Sequence, residues 1–308
     1  MRVRLKPWVF VTLLAIATAA ILFGIYRYRH RFVRSSTDML ALLPDGDRTV
    51  FFADFAALRH AGMLSWIAGS KAAEEPEYRE FIRQTHFDYV KNIDAIAGAA
   101  DPAQAFFVVR GRFDWLLLRA YAERHGGNCS DNFCKVQTTT PGRWASFFVI
   151  QPDVIGLALS GNSSAANALR PYGHGRFQPV SARPVWVKVS RALLKNPLGL
   201  PLPLRIFAIT LQSTDRVVLS LASAAENSQA AFSLELEAQC PSEATAETTR
   251  NQLQIETKML KLELAREHQP ANPADLTGLL TSGTFQVLNR AVVGSWPVRK
   301  ELLRTLEQ

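Results

Sequence analysis

The chain has 308 residues, of which 48% are hydrophobic and 20% charged, and its formal net charge is +8. Seven of the 35 basic residues, and none of the 27 acidic residues, lie in the first 34 positions. The rest of the chain is therefore close to neutral and lacks the basic surface that a nucleic-acid-binding protein needs. No nucleic-acid partner is predicted.

The N-terminal region, residues 1–34, contains an unbroken apolar run at residues 8–26 without a charged side chain. As a helix this run spans about 29 Å, the thickness of a bilayer core. We interpret it as an uncleaved transmembrane anchor. A cleaved signal peptide is the alternative, because Ala17-Thr18-Ala19 has the small-x-small form, although the run is longer than a usual signal core. The flanking basic residues, expected to meet lipid headgroups, are Arg2, Arg4, Lys6, Arg27, Arg29, Arg31 and Arg34.

The flanking charges decide little about orientation, since three basic residues precede the run and four follow it. An N-terminal anchor before one large domain usually exports that domain. We therefore expect a single-pass protein of the cell membrane, with the domain on the extracytoplasmic side.

Residues 35–47 are predicted to be a tether that ends in a turn, and residues 48–170 a first α+β half. Its strands are runs of β-branched and aromatic residues, and its helices show apolar residues at helical spacing. The predicted strands are 49–54, 92–99, 105–109, 133–139, 145–150 and 154–160. The predicted helices are 55–64, 77–85, 115–126 and 162–169.

A connector rich in Pro, Gly and Arg, residues 171–184, leads to a second half at residues 185–308. Its predicted strands are 185–189, 205–212, 217–222 and 231–238, with 283–293 as a last strand or a bent segment. Its predicted helices are 191–194, 242–268 and 298–306. Closely spaced strands predict antiparallel pairing, so the fold class is α+β, with antiparallel sheets, helices packed on one face and possibly two similar halves.

Three cysteines occur, at positions 129, 134 and 240. Cys129 and Cys134 lie in a turn-rich stretch, where they either form a disulfide in an oxidising compartment or remain free thiols. Their spacing fits neither a CxxC redox motif nor a zinc site. Cys240 ends an apolar strand and is expected to be buried.

Polar site candidates are few. Asp54, Asp88 and Asp114 each neighbour a Phe at a strand-to-helix junction, and His86 lies beside one of them. Acids at strand ends could act together as acid and base, but helix N-capping is the simpler interpretation. No nucleophile, zinc or dinucleotide motif occurs. No catalytic residue, metal site or cofactor is predicted.

A set of short motifs carries a resemblance. It consists of the Leu43-Pro44 turn before the first strand, a Thr-x-Phe-Asp-Tyr core at residues 85–89, and a Gly-Arg-Phe-Asp step at residues 111–114. In this order, over about residues 43–169, the sequence resembles a group of uncharacterised bacterial proteins with an N-terminal membrane segment. His86 replaces the small residue usual in that group. The resemblance implies an anchored α+β domain outside the membrane and no particular activity.

The leading functional hypothesis is a non-enzymatic envelope protein that binds or scaffolds another envelope protein. It follows from a well-patterned domain without a recognisable chemical site. The second hypothesis is a module for an apolar or lipid-like ligand, because helices over one face of a sheet can leave a groove. The third is a hydrolase in which Asp54, His86 and Asp88 would share one pocket.

Overall fold

The computed structural model describes residues 33–64, 75–169, 177–223, 230–268 and 271–302. Their strands form one antiparallel sheet of twelve strands, where separate sheets were predicted. The strands are β1 (Thr49–Asp54), β2 (Ile93–Ala100), β3 (Ala105–Gly111), β4 (Asn128–Ser130), β5 (Phe133–Gln137), β6 (Trp144–Gln151), β7 (Val154–Ser160), β8 (Val185–Val189), β9 (Arg216–Ser223), β10 (Ala230–Gln239), β11 (Thr284–Leu288) and β12 (Ala291–Arg299).

Nine α-helices accompany the sheet in the described part of the chain. They are α1 (Ser36–Ala41), α2 (Phe55–His60), α3 (Pro76–Thr85), α4 (Tyr89–Asn92), α5 (Trp115–Arg124), α6 (Arg191–Lys195), α7 (Leu202–Thr210), α8 (Glu243–Arg266) and α9 (Leu276–Thr281). Short 3-10 helices occur at Ala165–Leu169, Pro197–Gly199 and Leu211–Ser213.

The strand order on one side of the centre of the sheet matches the order on the other side. It runs β11-β12-β10-β9-β8-β1-β2-β3-β7-β6-β5-β4, so β1 and β8, the first strands of the two sequence halves, pair at the centre. Outward from there, the second and third strands follow in sequence on each side, and the last strand of each half pairs with the third. Both halves thus use the same order of strand connections.

The two faces of the sheet differ, because alternate residues along a strand point to opposite sides. Phe51, Phe107 and Leu157 lie in register on one face, here called the helical face. Most helices pack on it, and in the second half it carries a large buried cluster around Leu236, Leu253 and Trp296.

The expectation that helices cover one face is wrong for the first half. Helix α1 buries Met39 and Leu40 against Val50 and Phe52, which point away from the helical face, and Leu169 of a 3-10 helix joins them. The same helix lies within the predicted tether at residues 35–47. Ser35 and Asp38 form a capping box at its start, and its apolar side chains anchor the segment on the sheet.

Residues 205–212, predicted to be a strand, instead belong to α7 and the following 3-10 helix. A short apolar run does not by itself distinguish a strand from a buried helix. Burial decides in favour of the helix here: Phe207, Ala208 and Leu211 face the sheet, whereas Ile206 and Ile209 are exposed.

The C-terminal region also differs from the prediction. Residues 283–293 contain β11, a turn and the start of β12, and Asn289 in the turn adopts a positive φ of 56°, which Asn tolerates well. Strand β12 continues to Arg299, so the predicted helix at 298–306 begins no earlier than residue 300. Residues 303–308 lie outside the described residues.

Among the described residues, no helix has the length and apolarity needed to cross a bilayer. The predicted anchor at residues 8–26 lies outside them, as do all of its flanking basic residues except Arg34. Residues 171–176 of the predicted connector also lie outside the described part.

Candidate functional site

The three aspartates singled out in the sequence cap helices. The carboxylate of Asp54 accepts a hydrogen bond from the Ala57 amide at 2.8 Å, and that of Asp114 accepts one from the Leu117 amide at 3.1 Å. The carboxylate of Asp88 accepts one from the Val90 amide, at the start of α4. These bonds satisfy free N–H groups at helix starts, which confirms the N-cap interpretation.

His86 ends α3 in a left-handed backbone conformation. Its φ is 54°, its side chain is exposed, and its amide donates to the Ile82 carbonyl at 2.8 Å. A left-handed residue is a common way to end a helix. In the described part of the chain, no three His, Cys, Asp or Glu side chains lie close enough together to hold a metal ion.

The cysteines fall into two environments. Cys129 and Cys134 face each other on paired strands β4 and β5 and are joined by a disulfide. Cys240 is a buried free thiol, as its position suggested. Burial raises the pKa of Cys240, against an opposing hydrogen bond with Thr249, so the thiol stays protonated and unreactive at neutral pH.

The most distinctive concave feature is an apolar cavity of about 480 Å³ between the helical face and helices α3 and α5. Its floor is the sheet itself. The floor side chains come from β2, β3, β5, β6 and β7, and they are Ile93, Ile96, Phe107, Val109, Val136, Phe147, Ile155 and Leu157. None of Asp54, His86, Asp88 and Asp114 lines it.

Aromatic rings form the roof of this cavity. The ring of Phe81 on α3 lies 5.0 Å from that of Tyr121 on α5, edge to face. Phe87 stacks on Phe113 at 5.2 Å and meets Phe81 at 6.1 Å. These four rings form a continuous row, here called the aromatic roof, from the start of α5 to its last turns. Such contacts add about 0.5–1.5 kcal/mol per pair beyond area burial.

Polar groups border the cavity only near the C-terminal end of α5. The ring of His125 stacks on Tyr121 with centroids 4.1 Å apart, and its Nδ1 lies 2.9 Å from the Tyr121 carbonyl oxygen. Burial raises the pKa of Tyr121, and the nearby carboxylates Glu77 and Glu80 add to the effect. The phenol is therefore neutral at physiological pH. The cavity is apolar except near Tyr121 and His125, which are here called the polar corner.

A second, smaller cavity of about 280 Å³ lies under the helices of the other half. Val187, Leu219 and Leu236 of the sheet face Leu204 and Phe207 of α7 across it. Its lining is also almost wholly apolar. Each half of the sheet thus has an apolar space between its helical face and its helices.

Only part of this site is signalled in the amino-acid sequence. The stretch around Phe81 and Phe87 mixes aromatic and charged residues, a pattern that indicates either a helix packed on a sheet or a partner-binding surface. The structure shows that Phe81 and Phe87 do pack over the sheet but leave a space beneath. Phe113 and Tyr121 were not identified as their partners, because the pairing depends on the relative position of α3 and α5.

No protein-family model matches the sequence, and no curated protein matches it. Among solved structures, crystal form I of TP0453, a bacterial (Treponema) protein, is similar with a TM-score of 0.52 and 12% sequence identity, over 89% of this chain and 98% of that chain. Crystal form III of the same protein gives a TM-score of 0.47 and 13% identity, over 89% and 99%. At this identity the likeness concerns the fold alone: the chain has an α+β fold similar to that of TP0453.

Proposed function

We propose that the domain binds an apolar, lipid-like ligand in the cavity beneath the aromatic roof. The observation that carries this proposal is a space of about 480 Å³ with an almost wholly apolar lining. Ligand sites are typically about 300–1,000 Å³ and mostly apolar with a few polar groups. The polar corner formed by Tyr121 and His125 would meet the polar end of such a ligand.

The energetics favour a chain-like apolar ligand. Each buried methylene contributes about 0.8 kcal/mol, so roughly eight of them would supply about 6 kcal/mol before the costs of ordering and association. A charged ligand would lose its hydration without gaining an ionic partner inside the cavity. The predicted membrane anchor would keep the domain beside a source of acyl chains.

The test is photolabelling of the full-length chain in nanodiscs with a lipid that carries a diazirine on its acyl chain, followed by peptide mapping. We expect adducts on the segments that line the cavity, including β3 and α5. Val109→Phe places a ring in the cavity, whereas Val187→Phe makes the same change in the second cavity. Over-packing costs about 1–3 kcal/mol, so the thermal stability of both variants is measured alongside.

We expect Val109→Phe to reduce the adducts about fivefold, which corresponds to about 1 kcal/mol of lost binding, and Val187→Phe to leave them unchanged. Equal labelling of the wild type and both variants would contradict the proposal, as would adducts confined to exposed surfaces. Adducts that move to the second cavity would place the ligand there instead.

A second function, docking of another envelope protein, is supported by a different observation. Ile206 and Ile209 of α7, together with Ile255, Met259 and Leu262 of α8, are between 45% and 63% exposed. A hydrogen bond from the Thr210 hydroxyl to the Glu256 carboxylate joins the two helices, and the exposed apolar side chains of these neighbouring helices are here called the α7–α8 patch. Several large apolar side chains exposed on two neighbouring helices favour an interaction site over scattered surface residues.

Site-specific photocrosslinking in cells tests this second function. A photoreactive residue at Met259 is expected to give a discrete protein adduct, and Ile255→Lys is expected to abolish it. A photoreactive residue at Leu288, an exposed apolar side chain on edge strand β11, serves as the control. Adducts to lipid only, or the same species from both positions, would argue against protein docking.

A further inference from the structure

The chain enters the folded domain at one end of the sheet. Val33 is buried in the cluster on the face opposite the helical face, and the Gln151 side chain holds it with two hydrogen bonds. The Val33 amide donates to the Gln151 Oε1 at 2.9 Å, and the Gln151 Nε2 donates to the Val33 carbonyl at 3.0 Å. Next to it, the Arg110 guanidinium donates to the Arg34 carbonyl at 2.7 Å. The entering chain is thus fixed beside the turn between β6 and β7.

This end of the sheet is here called the proximal end. It contains the β3–α5 junction and the β6–β7 turn. The two are joined by a hydrogen bond from the Gly111 amide to the Asp153 carbonyl at 2.9 Å. Helix α1 leads away from it. The chain beyond α1 reaches the other end, where the guanidinium of Arg48 donates to the Pro44 carbonyl and to the Asp101 carboxylate. Asp101 lies in the β2–β3 turn, so the described chain begins at the proximal end of the sheet and runs from there to the opposite end.

The reach of the intervening chain is short. The predicted anchor ends at residue 26, and the seven residue steps from there to Val33 extend at most about 25 Å. Strand β2, with eight residues, separates the two ends of the sheet by about 23 Å. The far end of the sheet could therefore reach the bilayer only if this whole connection were fully extended along the length of the sheet.

We infer that the proximal end of the sheet faces the bilayer and contacts lipid headgroups, with the β2–β3 turn directed away from the membrane. This inference rests on the predicted anchor and does not depend on the cavity binding a ligand. The chemistry of the proximal end is compatible with that position. Leu116, in the first turn of α5, exposes 74% of its surface, and Lys91 and Arg112 are exposed nearby.

Acidic groups at the same end balance these basic residues. Asp88 pairs with Lys91 at 3.0 Å and Asp94 with Arg59 at 3.5 Å. A long-range attraction to anionic lipid is therefore not expected to orient the domain by itself. We expect the short connection at Val33 and the contact of Leu116 with the membrane interface to orient the domain instead. The orientation should therefore change little with salt concentration.

The experiment measures the distance of single positions from the membrane in the full-length protein in nanodiscs. Cysteines are introduced at Leu116 and Pro152 of the proximal end and at Ala103 of the β2–β3 turn, and each is labelled with a fluorophore. Background labelling is low because Cys129 and Cys134 are bonded and Cys240 is buried. Lipids that carry a spin label on the headgroup serve as the quencher.

We expect strong quenching at Leu116→Cys and Pro152→Cys and little at Ala103→Cys, at both low and high salt. Equal quenching at all three positions, or the strongest quenching at Ala103→Cys, would overturn the inference. Protein that fails to remain with the lipid would overturn it as well, because the anchor would then be absent, and that result would leave the cavity proposal standing.

Discussion

Phe52 and Trp186 lie on the two central strands, one from each half of the chain, and their rings stack with centroids 6.2 Å apart. They are cross-strand partners of the β1–β8 pair. Trp186 is only 1% exposed, and both rings belong to the cluster that also contains α1. Packing at the junction therefore joins the two halves in one buried cluster.

We predict that Trp186→Ala destabilises the whole sheet by about 3–5 kcal/mol, because it removes a large buried ring where strands cannot close the gap. Thermal unfolding followed by circular dichroism is the measurement, and a single transition shifted to lower temperature is expected. Leu288→Ala, at an exposed position on β11, is expected to change stability by less than about 0.5 kcal/mol. Independent melting of one half in Trp186→Ala would contradict this coupling.

The second prediction concerns Gly98, whose missing side chain gives space to a neighbouring ring. A Cβ at position 98 would lie 2.3 Å from carbons of the Phe51 ring, which itself packs on Phe107 of the cavity floor. We predict that Gly98→Ala costs about 1–3 kcal/mol through over-packing. In Phe51→Leu the same change should cost clearly less, and a double-mutant cycle of unfolding free energies measures the difference. Additive effects would show that the contact is not the cause.

The third prediction concerns Glu256, which lies on α8 and accepts a hydrogen bond from Thr210 of α7. Burial raises the pKa of this carboxyl, and the hydrogen bond from Thr210 offsets part of the effect. A raised pKa in the folded state means that stability is greatest below the pKa of the unfolded chain and falls as pH rises through the folded pKa. Glu256→Gln removes the charge and keeps an acceptor for Thr210.

We therefore expect Glu256→Gln to raise the melting temperature at neutral pH and to lose this advantage in acid. Melting curves across that pH range provide the check, and Glu247→Gln, an exposed change on the same helix, is the control. An equal gain at all pH values, or a loss at neutral pH, would show that burial of the charge does not limit stability here.

Local signals in the sequence were sufficient for much of the fold. Each of these signals lies within one element, so residue order alone reveals it. They are the capping aspartates Asp54 and Asp114, the β-branched and aromatic runs of the strands, and the long apolar pattern of α8. The strand prediction for residues 205–212 was wrong for the opposite reason. Its apolar residues suit a strand or a buried helix, and only contact with the sheet decides between the two.

The cavity could not be predicted because it is a property of how elements are spaced. Phe81 and Phe113 are distant in sequence, and the space beneath them exists only once α3 and α5 rest on the same face. The pairing of β1 with β8 similarly joins residues more than a hundred positions apart. Periodicity shows which face of an element is buried but not what lies opposite it.

The last prediction links the cysteines to the location of the domain. The disulfide between Cys129 and Cys134 closes a short loop, and loop-closure entropy gives it a stabilising contribution of about 2 kcal/mol. Disulfides persist in oxidising compartments, so the bond fits the expected extracytoplasmic position.

In intact spheroplasts, we expect a protease to digest the domain and a thiol reagent to label Cys129 and Cys134 only after reduction. Cys129→Ser should lower the melting temperature of the oxidised protein and leave that of the reduced protein nearly unchanged. Protection from the protease together with free thiols would instead place the domain in the cytoplasm, where its partner would have to be sought on the inner surface of the membrane.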